Sequence, residues 1–192
     1  LANASGDYIQ FMDADDFLSL GKIEKQVAAL NGQENKVVVC GYINFFDGQD
    51  LAQLKLADQS SFIYTTNDPA DFLLNLWGAN GESNFIQTNS WLVPRAVIEK
   101  SGGWRNYRCP DDDGEFFTRV LLAGKGIISV LGIYNYYRRS PHENKLSGNA
   151  KKKYLQNVLL TIDLKYQYIS KVSQSPKIRN AFAKQYLHFA VY

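Results

Sequence analysis

Three carboxylates stand within four residues, at Asp13, Asp15 and Asp16, directly after a short run of aromatic and β-branched residues, 7–12. Such a run ending in a polar cluster reads as a buried strand whose C-terminal end meets a loop. Strand ends in open α/β sheets face a crevice, and ligands bind there. Neighbouring carboxylates repel one another, so gathering them costs stability unless a cation or a solvated surface relieves the charge. Hard oxygen ligands suit Mg²⁺ or Mn²⁺, which take one or two carboxylates together with the phosphates of a nucleotide. An acidic turn leading into a helix is the alternative, since Asp is a good cap and turn residue. A second triplet, Asp111, Asp112 and Asp113, precedes Phe116 and Phe117. Taken alone it is a helix N-terminus, where acidic residues favour the helix dipole.

The elements that must carry these clusters are legible in the spacing. Leu20, Ile23, Val27 and Leu30 recur at helical intervals, with Ser19 as a cap and Gly32 as a stop. Residues 37–46 form the next strand, giving the strand–helix–strand unit of α/β sheets. A polar stretch, 47–66, reads as irregular loop or hairpin, and Asp68 caps a short helix through Leu76. Residues 85–93 read as extended, Pro94 opens a helix to Lys100, and Gly102 and Gly103 end it. Phe116, Phe117, Val120 and Leu121 mark another amphipathic helix, and residues 127–139 return as strand. From Lys151 the period is helical again, and a break at residues 173–176 leads to a last helix through Phe182 and Phe189.

Two ordered sets of residues resemble a known family. Residues 4–16, Ala-Ser-Gly-Asp-Tyr-Ile-Gln-Phe-Met-Asp-Ala-Asp-Asp, followed by Gly-Lys-Ile-Glu-Lys-Gln at 21–26, resemble the Asp-X-Asp segment of glycosyltransferase family 2. Further on, Arg95 through Gly102-Gly103-Trp104, the run Asp112-Asp113-Gly-Glu-Phe-Phe-Thr-Arg119, and Tyr136-Tyr137-Arg138-Arg139 come in that family's order. The resemblance implies an α/β fold: a partial GT-A, Rossmann-like mixed sheet flanked by helices over residues 1–148, with a C-terminal helical extension over 149–192 packed on it. It implies inverting, metal-dependent transfer from a nucleotide-sugar donor to a saccharide or lipid-linked acceptor hydroxyl, in polysaccharide or glycolipid synthesis. Asp13 then lies near the donor ribose and diphosphate, Asp15 holds Mn²⁺ or Mg²⁺, and Asp16 also matches. The catalytic base falls on Asp113, with Asp112 in the place where Glu or Gln is usual, so the register among the three Asp residues stays open by one.

Lesser signals stay two-sided. His142 occupies the region where some members of the family carry a metal-binding His, or it is a loop histidine. Arg138 or Arg139 could meet phosphate or serve the structure. Trp91 and Trp104 could line an acceptor groove, though aromatic core packing is the better reading. Lys151, Lys152 and Lys153 could contact an anionic membrane surface, but three lysines fall short of the usual patch and favour a solvated helix face.

Composition bounds the rest. The 192 residues are 45% hydrophobic and 14% aromatic, enough for a sizeable core. A formal charge of +2 argues against a nucleic-acid binder, which would show a far stronger basic bias. Cys40 and Cys109 fit free thiols in a reducing compartment. No apolar run reaches the length of a membrane span, since 127–137 is broken by Gly132 and Asn135. The expectation is a cytoplasmic protein, with peripheral contact at the inner membrane face as an option. The resemblance further implies a nucleotide-binding segment ahead of residue 1, so that the isolated chain is expected to self-associate and to bind donor weakly. Two other readings compete: a haloacid-dehalogenase-type phosphohydrolase, which also places Asp-X-Asp after a strand, and a non-catalytic interaction domain derived from a transferase.

Overall fold

A computed structural model describes residues 3–139 and 152–191. Its centre is a strand made of one nearly continuous apolar run, Val37–Phe45 (β3), buried along almost its whole length. Such a run belongs to a strand covered on both faces. Val37 and Val39 point into the main core with Phe72, Trp91, Phe116 and Ile127, while Val38 packs with Leu30 and Leu92 on the other side. Successive side chains of a strand alternate between faces, so three consecutive valines supply both layers.

The other strands are Tyr8–Ile9 (β1), Phe17–Leu18 (β2), Trp91–Pro94 (β4) and Ile127–Arg138 (β5). They form one mixed sheet in the order β1-β4-β3-β5-β2. β3 and β5 run parallel, and the remaining described pairings are antiparallel. Six helices flank the sheet among the described residues: Lys22–Leu30 (α1), Pro69–Leu76 (α2), Arg95–Ser101 (α3), Asp112–Ala123 (α4), Lys152–Val172 (α5) and Lys177–Ala190 (α6). This is the mixed α/β sheet expected from the sequence. α5 and α6 add Ile162, Ile169, Ala181 and Phe182 to the main core. Phe182 packs edge-on against Trp77 with ring centroids 5.2 Å apart, which ties α6 to the end of α2.

Several local expectations are corrected. The strand expected over 7–12 pairs only at Tyr8 and Ile9. Beyond Ile9, the Gln10 side chain donates to the carbonyls of Phe11 and Asn89, and Phe11 leaves the sheet to lie among Trp104, Phe116 and Phe117. The extended segment expected over 85–93 contains a 3₁₀ turn, Thr88–Ser90, before β4 begins. Ser19 does not cap α1; its hydroxyl accepts from the backbone N–H of Tyr134 and so ties the loop to β5. Asn31, ahead of Gly32, is the first residue to turn left-handed at the end of α1. β5 is interrupted as well: its pairing with β3 jumps from Ser129 to Tyr134, and Gly132, at φ 72°, allows the extra residues to bulge out. The apolar period read for α1 does not face the core throughout, because Leu20 and Ile23 are exposed while Lys22 and Gln26 are buried. The end signals of α2 and α3 hold as read. The Asp68 side chain accepts from the N–H of Asp71 and caps α2, and Pro94 precedes α3, which Gly102 ends at φ 86°.

Candidate active site

The loop of Asp13, Asp15 and Asp16 is pinned at both ends. β1 holds its start against β4, and β2 holds its end against Tyr136 and Asn135 of β5. Asp13 and Asp15 are exposed, whereas Asp16 is buried at 4% exposure. The Asp16 carboxylate accepts from the side-chain amide of Asn89 at 2.6 Å and from the backbone N–H of Arg138 at 2.7 Å. Burial pushes its pKa up to about 6, with the Arg138 N–H opposing and the charges of Asp15 and Asp13 adding to the rise. Asp13, although exposed, is also raised, by the partial desolvation of its carboxylate within the loop and then by Asp15. The Arg138 guanidinium donates to the backbone carbonyl of Asp15 at 2.8 Å, pairs with Asp47, and sits over the rings of Phe45 and Phe17. In this arrangement Arg138 clamps the acidic loop.

The second triplet divides its labour. The Asp111 side chain makes no cap bond; it pairs with Lys165 of α5 at 2.6 Å and accepts from Thr161 at 3.0 Å. Gly114 leaves room for this carboxylate, because a Cβ there would stand 2.2 Å from Asp111 Oδ1 and the Asp111 side chain would have to shift. Asp112 and Asp113 lie in the first turn of α4. Burial raises the pKa of Asp112, while a hydrogen bond from Trp104 opposes the rise. Asp113 is pushed up to about 7, first by burial and then by the neighbouring charge of Asp111. One of its oxygens accepts from the Gly114 N–H at 2.8 Å, and the other takes a long bond, 3.3 Å, from the Thr88 hydroxyl.

Consecutive residues of the 3₁₀ turn therefore join the two clusters. Thr88 reaches Asp113, while the side chain of Asn89 donates to Asp16 and accepts from the backbone N–H of Asp13 at 3.0 Å. The turn is itself held from below. Lys22, 1% exposed, donates to Gln10 and Gln26 at 2.7 Å each; Gln10 then donates to the carbonyl of Asn89 and Gln26 to that of Ser90. Burial lowers the Lys22 pKa to about 8. Sequence reading missed Gln10, Lys22, Gln26, Thr88 and Asn89. A signal was present: a polar run, Gln87-Thr88-Asn89-Ser90, interrupts an otherwise apolar stretch. Polar groups inside such a stretch must find partners.

The remaining expected residues fall elsewhere. Trp91 is core, stacked on Phe117 at 5.2 Å, and Trp104 packs on Phe116 at 4.6 Å. Arg139 lies over the ring of Tyr137. Both cysteines are free and buried. His142 and the start of the lysine run, Lys151, lie outside the described residues. Among the described residues, no three His, Cys, Asp or Glu side chains gather as a metal site. Exposed Asp13 and Asp15 nevertheless suit a hard cation completed by phosphate oxygens and water, because Mg²⁺ commonly uses only one or two carboxylates.

The profile described as Glycosyl transferase family 2 matches residues 1–100, which include the acidic loop and the bridging turn. The chain belongs to this family. Membership sets aside the phosphohydrolase reading, because the match runs from Asp-X-Asp through α1, β3 and the bridging turn. No curated protein sequence matches. Among solved structures, this family 2 chain is similar in fold to S. aureus TarS 1-349. Against the complex with UDP-GlcNAc the identity is 12% and the TM-score 0.59, covering 98% of this chain and 58% of that one. Against the complex with UDP the identity is 14% and the TM-score 0.56, covering 88% and 47%. The chain thus spans about half the length of these structures. No helix among the described residues is long and apolar enough to cross a membrane.

Proposed function

We propose that the two carboxylate clusters form the transfer site of an inverting, metal-dependent glycosyltransferase. It takes a nucleotide-sugar donor and serves polysaccharide or glycolipid synthesis on the cytoplasmic side of a membrane. The observation that carries this reading is the Thr88–Asn89 bridge, which sets Asp113 beside the acidic loop although about 100 residues separate them in the chain. The similar fold of TarS, solved with UDP-GlcNAc and with UDP, supports a nucleotide-sugar donor.

Each cluster takes one side of the reaction. Asp13 faces the donor ribose and diphosphate, and Asp15, with His142 as the second candidate, holds Mn²⁺ or Mg²⁺. When bound, the cation offsets charge on the departing diphosphate. Asp16, already engaged by Asn89 and Arg138, positions this loop. Opposite, Asp113 accepts the proton of the acceptor hydroxyl. The acceptor oxygen bonds to the anomeric carbon as the bond from that carbon to the diphosphate oxygen breaks, and the electron pair leaves with the nucleoside diphosphate. A carboxyl raised to about 7 is a stronger base than an ordinary one while still half ionised near neutrality.

The test is Asp15→Asn in the full protein. Calorimetry is expected to show Mn²⁺-dependent nucleotide-sugar binding lost, with the melting temperature nearly unchanged because Asp15 is exposed. Unaltered donor affinity with metal present would defeat the assignment.

A further inference from the structure

A cavity of about 850 Å³ lies against the second carboxylate cluster. Asp111, Asp113 and Gly114, at the start of α4, form one wall. Much of the remaining surface is hydrocarbon and aromatic ring, supplied by Leu76, Trp77, Phe85, Phe117, Ile162 and Phe189. The volume is that of a small-molecule site, and such sites combine apolar walls with a few polar groups that set orientation.

The polar groups along the Asp113 wall decide what can enter. Asp111 is engaged by Lys165 and Thr161. The hydroxyl of Thr118 is given to the Gly114 carbonyl at 2.7 Å. On the far side, Lys184 donates to the carbonyls of Gly78 and Gly81. Both partners of Asp111 meet its Oδ2, and Asp113 Oδ2 holds only the 3.3 Å bond from Thr88, so each carboxylate keeps capacity for a donor. A guest therefore meets open acceptor oxygens on the α4 wall and a few further polar side chains, among them Ser83, Asn84 and Gln185, beside a large apolar surface. A saccharide filling this space would bring several hydroxyls, each costly to bury without a partner. A hydroxyl-bearing head at the α4 wall joined to a hydrocarbon chain satisfies both parts of the cavity.

We propose that this cavity is the acceptor pocket, and that its acceptor joins the reacting hydroxyl region, placed at Asp113, to an alkyl portion lying between α2, α4 and the two C-terminal helices. The proposal rests on the transferase reading for the role of Asp113, but the apolar preference can be measured without any transfer. The enclosure by hydrocarbon also accounts for the direction in which the Asp113 carboxyl is shifted.

The experiment compares n-octyl β-glucoside, below its micelle concentration, with methyl β-glucoside. Binding of each to the full protein is followed by calorimetry. Seven additional methylenes moving out of water are expected to make the octyl compound bind at least about tenfold more tightly. Val158→Phe and Leu155→Phe, made separately, place a ring in the cavity from α5 and are expected to remove that preference. Melting curves of both variants confirm that they are folded. UDP binding in the presence of Mn²⁺ is measured on the same samples and is expected to stay unchanged, so a failure of the transferase reading shows there and not in the glucoside comparison. Equal affinity for the two glucosides would overturn the proposal. So would an octyl preference that survives both ring substitutions in folded protein.

Discussion

Asp113 and Asp16 carry the same chemical group, yet their surroundings assign them different work. Asp16 is saturated by two short bonds from donors on separate elements, so its oxygens are spent on holding the loop. Asp113 holds one short bond and one long one, which leaves an oxygen able to take a proton. Asp113→Asn keeps shape and polarity but removes the basic oxygen. We expect donor affinity to persist and transfer to fall by about 10² to 10⁴, the usual contribution of a positioned general base. Asp112→Asn is expected to cost less. Because the Asp113 pKa lies near 7, transfer by the unsubstituted protein should rise with pH through about 7, as the base ionises. A pH–rate profile and the transfer rates of both variants check these outcomes; a tenfold loss in neither would remove the catalytic role from this cluster.

At the scale of elements, the decisive piece is the three-residue turn Thr88–Ser90. It belongs to neither cluster, yet it contacts both and is supported by side chains from α1 and from the segment after β1. Asn89→Ala would strip Asp16 of its 2.6 Å donor and leave a buried carboxylate short of a partner. The expected cost is about 1–3 kcal/mol of stability. Because Asn89 also accepts from the N–H of Asp13, the acidic loop should loosen too, and Mn²⁺-dependent donor binding should weaken. Denaturant unfolding and donor calorimetry on the same variant measure both effects. A stability loss with donor affinity intact would confine Asn89 to a structural role.

Across the whole molecule, the raised carboxyls link stability to pH with a definite sign. Asp16 and Asp113 ionise near pH 3.8 in the unfolded chain, but near about 6 and about 7 within the fold. Their contribution to stability is therefore fully present below the unfolded value and is lost as pH rises through the folded ones. Thermal melts should show the protein losing stability between about pH 4 and about pH 8 from these groups, and Asp113→Asn should lose less over the same range. A variant whose melting temperature falls as steeply as that of the unsubstituted protein would show that Asp113 is not held in a raised state. The helices that enclose this region, α5 and α6, join it to the rest of the core through the Lys165–Asp111 pair and the Phe182–Trp77 contact.

The range of each interaction sets how much of this was legible in the chain. Helix periods, the Asp68 cap, the apolar run of β3 and both acidic clusters are local patterns, and the α/β class and the family resemblance rest on them. The shortening of β1 was not readable, because Gln10 replaces ladder bonds with partners in a segment some 79 positions away. Nor could sequence separate three consecutive Asp residues. Asp111 turns to Lys165 on α5 and Asp113 to Thr88 on the turn, and both partners lie far along the chain. Sequence by itself marked both acidic clusters as candidates for the chemistry, since residue type and local spacing are sufficient for that. Tertiary structure alone decided which carboxyl is spent on support and which keeps an open oxygen, because burial and hydrogen-bond partners exist only once distant elements have met.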